Sequence, residues 1–151
     1  MKGSSREDVE TVEGVMAAFY EIVSGPAGPR DWDRERHLCA PGARMMPTSP
    51  RDDGSHAVEI FDNEGYIASR TRIFADMDFY EKEIARRVER FGNIAHVWST
   101  YEARSTPDGE IIKRGINSVQ LYHDGGRWWV LSALWDNERP GNPIPAEYLG
   151  E

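Results

Sequence analysis

Cysteine is almost missing: Cys39 stands alone among 151 residues, so no disulfide can form within the chain, which suits a reducing compartment. Behind Leu38, Cys39 reads as a small buried residue rather than a nucleophile. The histidines His37, His56, His96 and His123 are far apart, with no HxH, HxxxH or CxxC spacing, so no metal is expected. "DWDRE" and "RDDG" pair acids but read as a helix start and a turn. There is no GxGxxG, P-loop or GxSxG element. The glycines of "GPAGP" lack the flanking strand and helix that phosphate binding requires, and no cofactor is expected. Positive charge is in deficit, with a net charge of −8, which disfavours nucleic acid and anionic membrane as partners. No stretch approaches membrane-spanning length, and "MKGSSREDVE" lacks the apolar centre of a signal peptide, so the expected location is cytoplasmic.

What is present is a folded composition. Hydrophobic residues make up 39% and aromatic residues 11%, enough to bury a core despite many charges. The length suits one domain over 1–151, with 1–6 expected to be disordered and 137–151 an extended, proline-rich tail. No repeat or linker divides it.

Helical spacing comes first. Ser5 with Asp8 resembles a capping box, and Val9, Val12, Val15, Met16, Phe19, Tyr20 and Val23 follow on one stripe until "SGPAGP" stops the helix. Asp31 is a candidate N-cap for a short second helix, with Trp32 and Leu38 facing inward. "RMMPTS" and "HAVEIF" could form a small hairpin through "PRDDG". A third helix fits from about Asn63 to Ala75, capped by Asp62, with Tyr66, Ile67, Arg70, Ile73 and Phe74 as its stripe. From Phe79 the period becomes two, and four long strands fit at 79–91, 94–105, 110–123 and 126–136, joined by "GN", "TPDG" and "DG". Helices on one side of an antiparallel meander give an α+β fold.

Uninterrupted pairing from those turns assigns the faces. One face carries Val88, Ala95, Val97, Ser99 and Tyr101, then Arg114, Ile116, Ser118 and Gln120, and finally Trp129, Leu131, Ala133 and Trp135. The other carries Glu89, His96, Trp98, Asn117, Val119, Leu121, Trp128, Val130 and Leu134, with Arg87 opposite Trp98 and Glu89 opposite His96. Neither face is purely polar. Helices cover only one, so a homodimer through the other is expected.

This order of elements, with "RRVERFGNIAHVWSTYEAR", "RGINSVQLYHDGGRWW", "GRWWVLSALWDNE" and "WDNERPGNPIPAEYL", resembles the nuclear transport factor 2-like (NTF2-like) superfamily, in its SnoaL-like and ketosteroid-isomerase-like branches. The resemblance covers nearly the whole chain and is closest to a bacterial branch without assigned function. It implies a cone-shaped, strongly bent sheet of four long strands and a small hairpin, with three helices on the concave side and a dimer seam on the convex side at His96, Trp98, Asn117, Val119, Trp128 and Val130. The implied cavity is lined by Phe19, Trp32, Met46, Tyr66 and Phe74 from the first half. Ser99, Tyr101, Arg114, Ser118 and Gln120 join them from the sheet, with Trp129, Leu131 and Trp135 from the last strand. The superfamily holds isomerases, cyclases, dehydratases, epoxide hydrolases and noncatalytic assembly modules, so fold does not convert to activity.

The isomerase acid–base set is unmatched. Its tyrosine falls on Phe19 (Tyr20 after a one-residue shift), its acid on Ser118, and its base within "MMPTSP". The epoxide-hydrolase pattern finds Arg114, but the matched concave strand positions hold no aspartate or glutamate, and Ala133 stands where an acid would serve. Asp62 or Glu64 would have to supply the carboxylate. For a cyclase or dehydratase the weak catalytic candidates are His56 and Asp62. Arg114 could pair with a ligand carboxylate, or close the cone by bonding Tyr101 and an acid of the tail. The leading expectation is a small-molecule-binding protein for a hydrophobic or aromatic, potentially acidic ligand. A cofactor-independent enzyme and a dimerisation module are the alternatives.

Overall fold

A computed structural model describes residues 2–150. The N-terminal stripe folds as two helices, α1 (Glu7–Glu10) and α2 (Val12–Val23). The break falls at Thr11, whose extended backbone lets its hydroxyl accept from Gly14 N–H at 2.9 Å. Part of the expected capping box is present, since Ser5 N–H donates to Asp8 at 3.3 Å. Asp8 also binds Arg34 at 2.9 and 3.0 Å, and Arg34 reaches Glu21 at 2.7 Å. This buried cluster ties α1 and α2 to α3 (Trp32–Leu38). The guanidinium holds the Asp8 carboxyl below its usual range. Asp31 caps α3, and Asp62 caps α4 (Asn63–Phe74) by accepting from Gly65 N–H at 2.7 Å.

The strands are β1 (Cys39–Pro50), β2 (His56–Val58), β3 (Phe61–Asp62), β4 (Tyr80–Phe91), β5 (Ile94–Arg104), β6 (Ile111–His123) and β7 (Trp128–Asn137). They form one curved sheet in the order β2-β1-β7-β6-β5-β4, with β3 beside β1. The four long strands and the small β1–β2 hairpin follow the expected antiparallel pattern. The sheet is nonetheless mixed, because β1 runs parallel to β7. The core lies between the helices and the concave face, with Val15, Met16, Leu38, Met45, Val97, Val119 and Val130 fully enclosed.

Three single-residue insertions alter which side chains face that core. Ile84 is extra in β4, Ile112 in β6 and Leu131 in β7. A bulge adds one residue on one strand, bends it, and reverses the alternation beyond it. Uninterrupted pairing therefore fails in three places. Past Ile112, Asn117 pairs with Ser99 and Val119 with Val97, so Gly115, Asn117, Val119 and Leu121 face the cone. Arg114, Ile116, Ser118 and Gln120 lie on the convex face. Before Leu131, Trp128 and Val130 point inward and Trp129 outward, whereas Ala133 and Trp135 keep the expected inward direction because the inserted residue restores the phase. Trp128 is 2% exposed and belongs to the core. Asn117, Val119, Trp128 and Val130, expected at a dimer seam, are thus interior residues.

The tail after β7 folds back over the convex face. Thr100 donates to the Tyr148 carbonyl at 2.5 Å, Tyr148 packs 5.8 Å from Trp98, and Arg87 lies 4.8 Å over the Tyr148 ring.

The two adjacent tryptophans provide a direct check. Trp128→Ala should cost about 3–5 kcal/mol in urea denaturation, as for a large aromatic removed from a core. Trp129→Ala should cost about 1 kcal/mol. The reverse order of losses would place the face change elsewhere.

Candidate functional site

A cavity of about 130 Å³ opens between the helices and the concave face. Helix α2 contributes Phe19 and Val23 to its wall, and α4 contributes Tyr66, Arg70, Ile73 and Phe74. The turn before β4 adds Met77 and Phe79, and the sheet adds Glu81, Tyr101, Lys113, Asn117 and Trp135. Ile73, 43% exposed at the end of the α4 stripe, marks where the cavity meets solvent.

The aromatic walls brace one another. Tyr66 meets Trp135 edge-on at 6.1 Å, Phe74 stacks on Phe79 at 5.2 Å, and Trp32 supports Tyr66 and Phe74 from behind. Tyr101 depends on a glycine. Its cross-strand partner is Gly115, where an added Cβ would come within 2.3 Å of the Tyr101 hydroxyl. Passing over that glycine, the hydroxyl donates to Asn137 at 2.5 Å.

A hydrogen-bonded relay runs from Asn117 through buried Tyr20 and Ser99 to half-buried Glu83. The Asn117 amide donates to the Tyr20 hydroxyl at 3.0 Å, which bonds Ser99 at 2.6 Å. Ser99 donates in turn to Glu83, which Arg86 holds at 2.8 Å. With Ser99 donating to the carboxylate, the Tyr20 hydroxyl must donate to Ser99, so every member is satisfied and directed. Burial raises the Tyr20 and Tyr101 pKa values, and both phenols stay protonated.

The charged lining differs in character. Glu81, Arg70 and Lys113 all border the cavity, yet none joins an ion pair among the described residues. Arg70 lies over Tyr66 and Trp135 at 5.2 and 5.8 Å, and Lys113 over Phe79 at 5.3 Å. Burial pushes the Glu81 carboxyl up to about 7, against the pull of Lys113 and Arg70. Burial also lowers Lys113.

The expected lining divides cleanly. Phe19, Tyr66, Phe74, Tyr101 and Trp135 meet at the cavity. Trp32 stands behind its wall, and Ser99 lies below it in the relay. On β1, Met46 is only half-buried and pairs with Leu134, while Met45, beside Ala133, enters the core. Arg114, Ser118, Gln120, Trp129 and Leu131 are outside, displaced by the bulges. Arg114 binds Glu138 of the tail at 2.9 to 3.1 Å, one half of its expected structural role, while Tyr101 bonds Asn137 instead. His96 and Trp98 do lie on the convex face, with His96 bonded to Ser118 at 3.0 Å. Among the weak catalytic candidates, His56 is exposed on β2 and Asp62 is the exposed α4 cap. Neither reaches the cavity. Cys39 is buried, its thiol pKa raised by burial, and it donates to Glu35 at 3.1 Å.

Glu81 corrects the expectation that the concave strands carry no acid. It pairs with Ala103, and Glu83 with Tyr101, both ahead of the Ile84 insertion. Counting back from Val88 by twos puts them outside, and only the extra residue turns them inward. The available signal was weak: an acid at every other position in "YEKEIA", on a strand otherwise expected to bury one face.

No protein-family model matches the sequence, and no curated protein is recognisably similar to it. Solved structures are. An NTF-2-like protein of unknown function from Silicibacter pomeroyi superposes with a TM-score of 0.57 at 13% identity, covering 84% of this chain and 92% of that one. A cystatin-like-fold protein of unknown function from Nostoc punctiforme gives 0.62 at 9%, covering 85% and 94%. The β subunit of a candidate aromatic-ring-hydroxylating dioxygenase from Novosphingobium aromaticivorans gives 0.61 at 18%, covering 85% and 87%. The chain has the NTF2-like fold. At these identities the likeness carries no activity across.

Glu81 makes the electrostatics testable. A carboxyl raised from 4.5 to about 7 favours the folded state fully below the lower value, and loses that contribution as pH rises through the upper one. Carbon NMR of labelled glutamate should show one side chain titrating near 7. Glu81→Gln should unfold at a higher temperature than the native protein above that pH, with the gap closing towards 4.5. A titration midpoint at 4.5 would mean the carboxyl is fully solvated.

Proposed function

We propose that the protein binds a small, largely apolar molecule in the cavity of its cone. The observation that supports this most is an aromatic-walled opening bordered by charged side chains that form no ion pair among the described residues. Polar groups in folded interiors are normally paired. The neighbouring relay from Asn117 to Glu83 follows that rule, and the contrast with the charges that lack a counter-ion supports a binding arrangement over a packing one. The volume, about 130 Å³, suits a molecule of roughly one aromatic ring, since an engineered cavity of about 150 Å³ takes up benzene.

A second reading, a cofactor-independent enzyme of the cyclase, dehydratase or isomerase kind, is favoured by Glu81. A carboxyl that titrates near neutrality beside an apolar ligand is suited to taking and returning a proton.

A fluorinated neutral aromatic, para-fluorobenzamide, observed by fluorine NMR, tests the binding reading. It should bind the native protein and be recovered unchanged. Ile73→Trp, which fills the opening from an exposed position, should weaken binding by roughly tenfold or more while leaving the unfolding temperature in place. Equal binding by both proteins would reject the cavity as the site. Conversion of the probe would favour the enzyme.

We also propose that a second copy of the chain covers the part of the convex face that the tail leaves open. Leu131 and Leu134 are each 40% exposed there, beside the stacked pair Tyr122 and Trp129. Sedimentation should give a dimer for the native chain and a monomer for Leu134→Glu. A monomeric native chain would overturn this.

A further inference from the structure

We propose that the cone takes a small monocarboxylate, an apolar body of about one ring whose oxyanion lies between Arg70 and Lys113, and that protonation of Glu81 regulates its entry. This rests on the cavity being a binding site. It adds the charge of the ligand, the residues that read that charge, and a condition on binding.

The charge follows from the lining. The cavity presents two cations and one carboxyl, and no described carboxylate forms an ion pair with either cation. Arg34, Arg36, Arg86, Arg104, Arg114 and Arg139 each bind a carboxylate, whereas Arg70, the arginine that lines the cavity, does not. The Arg70 guanidinium is held over the rings of Tyr66 and Trp135, which fixes its plane while leaving its N–H groups free of carboxylates. A planar fork so held matches a carboxylate edge, whereas Lys113 adds a point charge from the opposite wall. Taking up an anion there satisfies both cations in a poorly hydrated site, where the attraction is stronger than in water.

Glu81 decides when this holds. Facing it are Tyr20 of α2, Tyr66 and Arg70 of α4, Tyr101 of β5 and Lys113 of β6. Burial keeps all three phenols protonated, and no histidine lines the cavity. Glu81, held at about 7, is therefore the lining group that gains negative charge near neutral pH. Ionised, it repels an incoming carboxylate and competes for both cations. Protonated, it leaves them free and can itself donate a hydrogen bond to the ligand.

The probes are para-fluorobenzoate and its neutral counterpart para-fluorobenzamide, followed by fluorine NMR with the full-length protein. Benzoate stays ionised between about pH 6 and about pH 8, so any change across that range belongs to the protein. At about pH 6 the native protein should bind the benzoate roughly tenfold or more tightly than the amide, and at about pH 8 most of that preference should be gone. Glu81→Gln should keep the preference at both pH values. Arg70→Gln and Lys113→Met should each abolish it while binding the amide as before, which also shows that they fold. Equal affinity of the native protein for both probes at about pH 6 would overturn the proposal and leave the cavity reading standing. So would a pH dependence that persists in Glu81→Gln. Binding of phenyl phosphate in preference to benzoate would overturn the carboxylate assignment. Failure of both aromatic probes to bind would overturn this proposal together with the reading beneath it.

Discussion

A β-sheet can wrap around a layer of helices only if its strands bend, and here the bending coincides with three inserted residues. Ile84, Ile112 and Leu131 each sit opposite no partner in the neighbouring strand. Each adds local twist and turns the side chains beyond it to the opposite face. The curvature that makes a cavity is thus inseparable from the choice of residues that line it. Without Ile84, Glu81 would face solvent; without Ile112, Arg114 would point into the cone opposite Tyr101 in place of Gly115, and Asn117 would point outward.

The cavity that results combines two kinds of polarity. Its floor is closed: Asn117, Tyr20, Ser99, Glu83 and Arg86 form a directed chain in which each donor finds an acceptor. Its mouth is open: Glu81, Arg70 and Lys113 lie within electrostatic reach of one another without pairing. A satisfied network specifies a unique arrangement, whereas charges without a counter-ion gain from a partner that arrives from outside. On the outer surface, the tail takes up Trp98, Thr100 and Arg87, and Glu138 takes up Arg114.

Much of the architecture was legible from local chemistry. Helix α4 began at its Asp62 cap and carried Tyr66, Ile67 and Phe74 inward because a 3.6-residue period needs no partner to be read. The four long strands and the Gly92-Asn93 turn were legible for the same reason, as were the cross-strand pairs Arg87 with Trp98 and Glu89 with His96, which lie beyond the first bulge; the turn after β6 spans four residues, Asp124 to Arg127, where two were expected. The parallel pairing of β1 with β7 was not, because it joins segments about ninety residues apart and leaves no local mark. Nor were the bulges, since Ile84, Ile112 and Leu131 are ordinary strand residues with no glycine or proline beside them.

The doubled tryptophan shows where the boundary falls. That one of Trp128 and Trp129 must face inward and the other outward follows from the two-residue period of a strand, and the amino-acid sequence alone determines it. Which one does so was decided by the tertiary structure: the extra residue Ile112 turns the rest of β6 over, and pairing with β7 then sets Trp128 opposite His123 on the inward side. Periodicity is a local property of the chain. Phase is set by pairing between strands, and a single unpaired residue, at little local cost, reverses it for everything that follows.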